Sequence, residues 1–247
     1  MSYGAYETIV GIGNISDVTA VPTRLADLPF PPGTVARAQS PLWGPGEFIF
    51  ARASAGIRLC GLCVLTPVYD STALTYTQNM AEVPNTTLLG RPLYVSMANT
   101  ALTAGQYGWF MKRGIAPINC SASVAADTAL GYADTGQGGT NAASRQMLGA
   151  RVVTASSATV VKAGVGAAGD NVINFPGGTL GFFVGTTLTG TGVGAAAVIT
   201  QVEPFFVRVS VVNSAAIAGN VTQTATTGAV HYNVVAMSEP LAQGPIT

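Results

Sequence analysis

From Glu47 onward the chain repeats one pattern: a short run of alternating apolar and polar residues, then a break rich in Gly, Thr, Asn or Pro. Leu93, Val95 and Met97 alternate with Tyr94 and Ser96, and Tyr107, Trp109 and Met111 alternate with Phe110 and Lys112. Alternation of period two puts such residues on opposite faces of a strand. The pattern predicts strands over 47–52, 57–65, 88–97, 106–118 and 146–154. Helical periodicity is scarce, and the Ala-rich stretch 123–130 fits a short helix or a turn equally well. Many short strands separated by turn residues predict an all-β protein with a sandwich or barrel-like domain.

The pattern changes twice. Between Pro22 and Pro45, six of 24 residues are proline, a density that forbids a helix or an interior strand. This stretch is expected to be extended, with Phe30, Leu42 and Trp43 as apolar anchors. Two courses are open to it: a loop wrapped on its own domain, or an arm laid on another subunit through those three residues. Fully extended it would reach roughly 80 Å. From 159 to 228 there are only four charged residues, Lys162, Asp170, Glu203 and Arg208, and glycine and threonine are dense. Short strands are predicted there over 160–162, 171–175, 182–188, 196–202, 206–212 and 220–224. Tyrosine-bearing sequence then returns over 229–237. The expected organisation is an extended N-terminal arm (1–45), a β-rich domain (46–158 completed by 229–247) and a small β-module inserted between them (159–228).

Composition narrows the function. Only 9% of the 247 residues are charged, and 11 basic side chains balance 11 acidic ones. An ordinary globular domain carries about 25%. No basic cluster exists to attract nucleic acid or to hold an anionic membrane surface. The apolar runs are broken well short of the ~20 residues a spanning helix needs. A surface so poor in charge is ill suited to a lone monomer, so much of it is expected to be covered by partners.

Little of the remaining sequence looks like chemistry. Cys60 and Cys63 form a C-x-x-C, and Cys120 and His231 bring the possible zinc ligands to four. Residues 57–65 read as a strand, however, and positions three apart on a strand face opposite ways. The cysteines are therefore expected to be small buried hydrophobes, with no metal held. The opening Met1–Glu7 lacks the basic start of an export signal, so free thiols are expected in a reducing cytoplasm. Gly164-Val-Gly166-Ala-Ala-Gly169 has dinucleotide-loop spacing, but the following Asp170–Pro176 reads as a turn and a strand instead of the required helix. Its glycines are expected in turns between strands. His231 is the sole histidine, no nucleophile elbow occurs, and carboxylates are scattered. Neither a catalytic residue nor a cofactor is expected.

Two stretches carry a resemblance. The sequence Gln106-Tyr-Gly-Trp-Phe-Met-Lys-Arg-Gly-Ile-Ala-Pro117, then Val124-Ala-Ala-Asp-Thr-Ala-Leu-Gly-Tyr132 and Met147-Leu-Gly-Ala-Arg-Val-Val153, resembles the head decoration (capsid cement) proteins of tailed bacteriophages. In them a "G-Q-Y-G-W" strand, a "V-A-A-D-T-A-L" segment and an "L-G" strand follow one another, and Glu47-Phe-Ile-Phe50 is similar to the strand that opens that domain. Separately, Val184–Gly192, Val198–Val202 and Val207–Ser210 look like a small β-module found in phage virion proteins. The Pro-rich segment and the size of the module depart from a standard member.

The resemblance implies a non-enzymatic structural protein on the outside of a virion capsid, assembled in the bacterial cytoplasm. Its implied partners are the phage major capsid protein and copies of itself, as a dimer or trimer, with neither nucleic acid nor membrane. Two alternatives remain open. One is a tail, fibre or coat component; the other is a carbohydrate-binding or adhesive β-protein, for which Tyr107, Trp109 and Phe110 would supply stacking rings.

Overall fold

The structure is a computed structural model, and it describes residues 4–5, 15–22, 27–40, 42–70, 75–84, 86, 88, 90–134, 136–141, 145–155, 159–224 and 231–243. Among these residues the regular structure is β-strand throughout. In chain order the strands are β1 (Gly4–Ala5), β2 (Val35–Ser40), β3 (Gly44–Ala53), β4 (Leu62–Asp70), β5 (Thr75–Glu82), β6 (Leu93–Ser96), β7 (Tyr107–Cys120), β8 (Ala129–Asp134) and β9 (Gln137–Thr140). There follow β10 (Gln146–Thr154), β11 (Thr159–Gly166), β12 (Val172–Asn174), β13 (Thr187–Gly190), β14 (Ile199–Val202), β15 (Phe206–Val209), β16 (Ile217–Thr224) and β17 (His231–Gln243). The all-β, sandwich-like class read from the alternation is the class observed.

Eleven strands form one sheet in the order β1-β2-β3-β5-β4-β6-β7-β17-β10-β8-β9, and extra pairings of β7 with β3 and β9 fold it back on itself. The long strand β7 is the shared member. Its first half, from Tyr107 to Arg113, pairs with β3, and its second half pairs with β17 as far as Cys120 opposite His231. Gly114 sits at the changeover with φ +128°, where an added Cβ would lie 2.9 Å from the Pro45 carbonyl. Both faces of β7 are buried: Tyr107, Trp109 and Met111 enter one apolar cluster, and Phe110 enters another. β3 behaves alike, with Phe48 and Phe50 on one side and Ile49 and Ala51 on the other. A strand wrapped on both faces needs apolar residues at every position.

The second sheet has six strands in the order β13-β16-β11-β12-β15-β14. A bridge from Thr187 to Val198 joins its two ends, with Leu188 N–H on the Ala197 carbonyl at 2.8 Å. The sheet thus closes on a core of its own that includes Ile173, Phe175, Phe182, Leu188, Ile199, Val207 and Val221. Phe175 and Phe182 meet edge to face at 4.7 Å. The strands on either side of this sheet in sequence, β10 and β17, pair with each other from Gln146 opposite Gln243 to Thr154 opposite Val234.

Several local expectations need correction. The strand expected over 57–65 begins only at Leu62, because residues 58–61 form a turn in which Cys60 has φ +52° and Gly61 N–H bonds the Arg58 carbonyl. Gly164 and Gly166 lie inside β11, not in a turn. A Cβ on Gly164 would be 3.0 Å from the Phe175 ring, so that glycine makes room for the core. Of residues 123–130, 126–128 take the turn and 129–130 open β8, with Asp127 at φ +60° and Thr128 Oγ1 donating to the Ala125 carbonyl at 2.6 Å.

Candidate functional site

Phe30, Leu42 and Trp43, the proposed partner contacts, all rest against their own chain. Phe30 is 8% exposed and packs its ring on Phe50 and Trp109, with centroids 5.7 and 5.4 Å apart. Trp43 is 4% exposed. Leu42 is partly buried and, like Leu59, touches the cores of both sheets. The Pro-rich stretch also contributes β2, which pairs with β3 from Val35 opposite Ile49 to Ser40 opposite Gly44. Of that stretch, residues 23–26 and 41 lie outside the described residues. In this structure Phe30 and Trp43 are buried within the chain's own core.

The joint between the sheets is built from these same residues. Phe183 of the 182–186 loop meets Tyr232 of β17 at 4.8 Å. A cavity of about 10 Å³ is lined by Trp43, Leu59, Cys60, Phe182, Phe183 and Val202, room for one water at most. The 182–186 loop, where the sequence predicts a strand, is fixed by Gln223, which is 2% exposed. Its Oε1 accepts Phe183 N–H at 2.7 Å and Thr186 Oγ1 at 2.9 Å, while Nε2 donates to the Gly181 carbonyl at 3.2 Å. A buried amide bonded through both its oxygen and its nitrogen sets one geometry.

The groups that chemistry would need are separated or already engaged. All three cysteines are free and buried. Cys60 and Cys120 enter one apolar cluster and Cys63 another. Burial pushes the Cys60 and Cys120 thiols up to about 12 and raises Cys63 as well, so all three stay protonated at neutral pH, the unreactive form. Among the described residues no three His, Cys, Asp or Glu side chains are grouped as metal ligands. His231 is half-buried on β17 beside Cys120 of β7.

Four carboxylates, Glu47, Glu82, Asp127 and Glu239, face bases. Glu82 accepts Arg58 N–H at 2.6 Å, Arg58 Nε at 3.0 Å and the guanidinium NH2 at 3.2 Å. Glu47 lies 2.9 Å from Arg37 and 3.5 Å from Lys112, Glu239 lies 3.4 Å from Lys112, and Asp127 lies 3.2 Å from Arg151. Burial raises the Glu47 pKa, but the Arg37 hydrogen bond and the charges of Lys112, Arg37 and Arg113 outweigh it and hold the carboxyl below its ordinary value. Surface depressions of about 430, 310 and 200 Å³ lie at Asp127–Arg151, at Lys112–Glu239 and beside Phe183–Tyr232. In these three, each charged lining residue is already in an ion pair.

Two surfaces remain. One is the outside of the six-stranded sheet, where four charged residues stand between 159 and 224, Asp170 and Arg208 exposed and Lys162 and Glu203 half-buried. Val161, Val165, Leu180, Phe205 and Val212 are all more than half exposed there. Low charge over 159–228 was the sequence signal for this surface. The other is the β4–β5 hairpin, whose second strand the sequence reading missed, because Thr75-Tyr-Thr-Gln-Asn-Met-Ala-Glu82 has few apolar positions. Its β-forming Thr-Tyr-Thr was the available signal.

Comparison with protein-family models, with curated proteins and with solved structures found no match to this chain.

Proposed function

We propose that this chain is a non-enzymatic structural protein of a virion, a head decoration protein that binds the outer surface of a capsid and strengthens contacts between coat subunits. The observation that carries the reading is the charge-poor exterior of the six-stranded sheet, where four charged residues stand between 159 and 224 and only Asp170 and Arg208 are exposed rather than half-buried. Free monomers use surface charge to stay apart, whereas a surface held permanently against a partner can be uncharged and apolar. Icosahedral repetition multiplies a modest contact into tight attachment. The resemblance of 106–117, 124–132 and 147–153 to phage decoration proteins points the same way.

The adhesive alternative drew on Tyr107, Trp109 and Phe110, which are 2%, 3% and 0% exposed. Rings spent on the core stack on no sugar. The test is shell stability: empty capsids with and without the protein are heated and followed by light scattering. Decoration is expected to raise the temperature of shell disruption. An unchanged disruption temperature at saturating protein refutes the stabilising role.

A further inference from the structure

The β4–β5 hairpin outreaches the strands beside it. β6 accompanies β4 only from Leu62 to Val64, and β3 accompanies β5 only at Asn79 and Met80. The ladder between β4 and β5 runs on to Asp70 opposite Thr75. Residues 66–70 and 75–78 therefore form a two-stranded ribbon that projects roughly 15 Å at ~3.3 Å per residue. Two strands alone are marginal in water, and among the described residues no further ladder runs along the outer edge of 66–70 or of 75–78, which leaves these edges open to pairing.

The two edges differ. On β4, Pro67 has no N–H to offer, and an Arg91 guanidinium nitrogen bonds the Leu65 carbonyl at 2.7 Å and Thr66 Oγ1 at 3.1 Å. On β5, residues 75–78 include no proline, no lysine and no charge of either sign, the devices by which natural edges resist pairing. Among the described residues, no strand pairs with 75–78 on the side away from β4, and at the inner end of that run the turn at Gly33 lies beside the Gln78 side chain.

We propose that this β5 edge is an interaction site for the same edge of a second copy of the chain, the two ribbons pairing antiparallel about a two-fold axis. An open strand edge is matched by another extended strand. In a two-fold pairing the segment faces itself, so any charge near the axis would oppose its own kind. The charge-free run 75–78 carries no such opposition, and Thr–Thr neighbours across strands are favourable. The pairing names a place for self-association and does not rest on capsid binding, since no shell is needed to observe it.

Sedimentation velocity of the full chain over a concentration series tests it, with Thr77→Lys, Thr77→Glu and their equimolar mixture beside the unaltered protein. The unaltered chain is expected to exceed its 25.0 kDa monomer mass as concentration rises. Each variant alone is expected to associate about tenfold or more weakly, because like charges meet across the strands. The mixture is expected to regain association, a result that general loss of structure cannot produce. Thr75→Lys gives a second position on the same edge, and circular dichroism confirms that each variant is folded. The proposal is overturned by an unaltered chain that stays monomeric throughout, by folded variants that associate as it does, or by a mixture that shows no recovery. Association seen only in the presence of a different protein also overturns it.

Discussion

Phe30→Ala separates the two courses open to the Pro-rich segment. The ring is 8% exposed and lies against Phe50 and Trp109 at 5.7 and 5.4 Å. Removing a buried phenylalanine ring costs about 3–5 kcal/mol, part of it for the cavity left behind. Phe30 sits in a connection between strands that can partly collapse, so the lower end, about 3 kcal/mol, applies. For a chain of this size each kcal/mol lowers the melting temperature by about 2–4 °C, which gives a fall of roughly 6–12 °C. Differential scanning calorimetry of the unaltered and altered proteins reads the change. An altered protein that melts within about 1 °C of the original while failing to bind a partner would refute the packing argument and restore the arm.

Three further outcomes follow from the same geometry. Gly136→Ala drives a Cβ into the Glu82 carboxylate at a backbone φ of +68°, and is expected to lower stability by about 2 kcal/mol or more in urea unfolding; an unchanged midpoint contradicts the close approach. Gln223→Leu strips Phe183 N–H of its acceptor and the Gly181 carbonyl of its donor, while Thr186 Oγ1 keeps the Phe183 carbonyl at 2.6 Å, at an expected cost of about 1–3 kcal/mol for the unsatisfied N–H, and a neutral effect on the urea midpoint contradicts the latch. The thiols of Cys60 and Cys120 are raised from 9.0 to about 12 in the fold, so above pH 9 the unfolded chain loses protons that the folded chain keeps. Stability is expected to be intact below pH 9 and to fall as pH rises toward 12; Cys60→Ser with Cys120→Ser should flatten that slope, and an equally steep loss in the double variant refutes the cause.

Legibility in the sequence followed burial symmetry. Strands with one apolar face or two, such as β7 and β10, announce themselves through Tyr107, Trp109 and Met111 or through the buried Met147, Ala150 and Val152. β5 stayed hidden because Thr75-Tyr-Thr-Gln-Asn-Met-Ala-Glu82 has few apolar positions and its outer half runs beyond the neighbouring strand β3. β2 stayed hidden because prolines on both sides of residues 35–40 mask a segment whose Ala36, Ala38 and Ser40 are buried in alternation. Phe30 and Trp43 were recognisable as anchors, but sequence does not say whose surface an anchor meets. Only the three-dimensional positions of Phe50 and Trp109 show that Phe30 meets its own chain. The charge-poor exterior of the second sheet was legible in composition alone, because charge counts survive without coordinates.

The measurement that bears most directly on the account is a binding titration of the purified chain onto capsids that lack it, read by co-sedimentation at low and high salt. An uncharged contact surface is expected to saturate at a fixed ratio to coat subunits and to hold that ratio as salt rises, because screening acts on charges and leaves apolar burial intact. Absence of the chain from the pelleted shells, or attachment that salt removes, contradicts it.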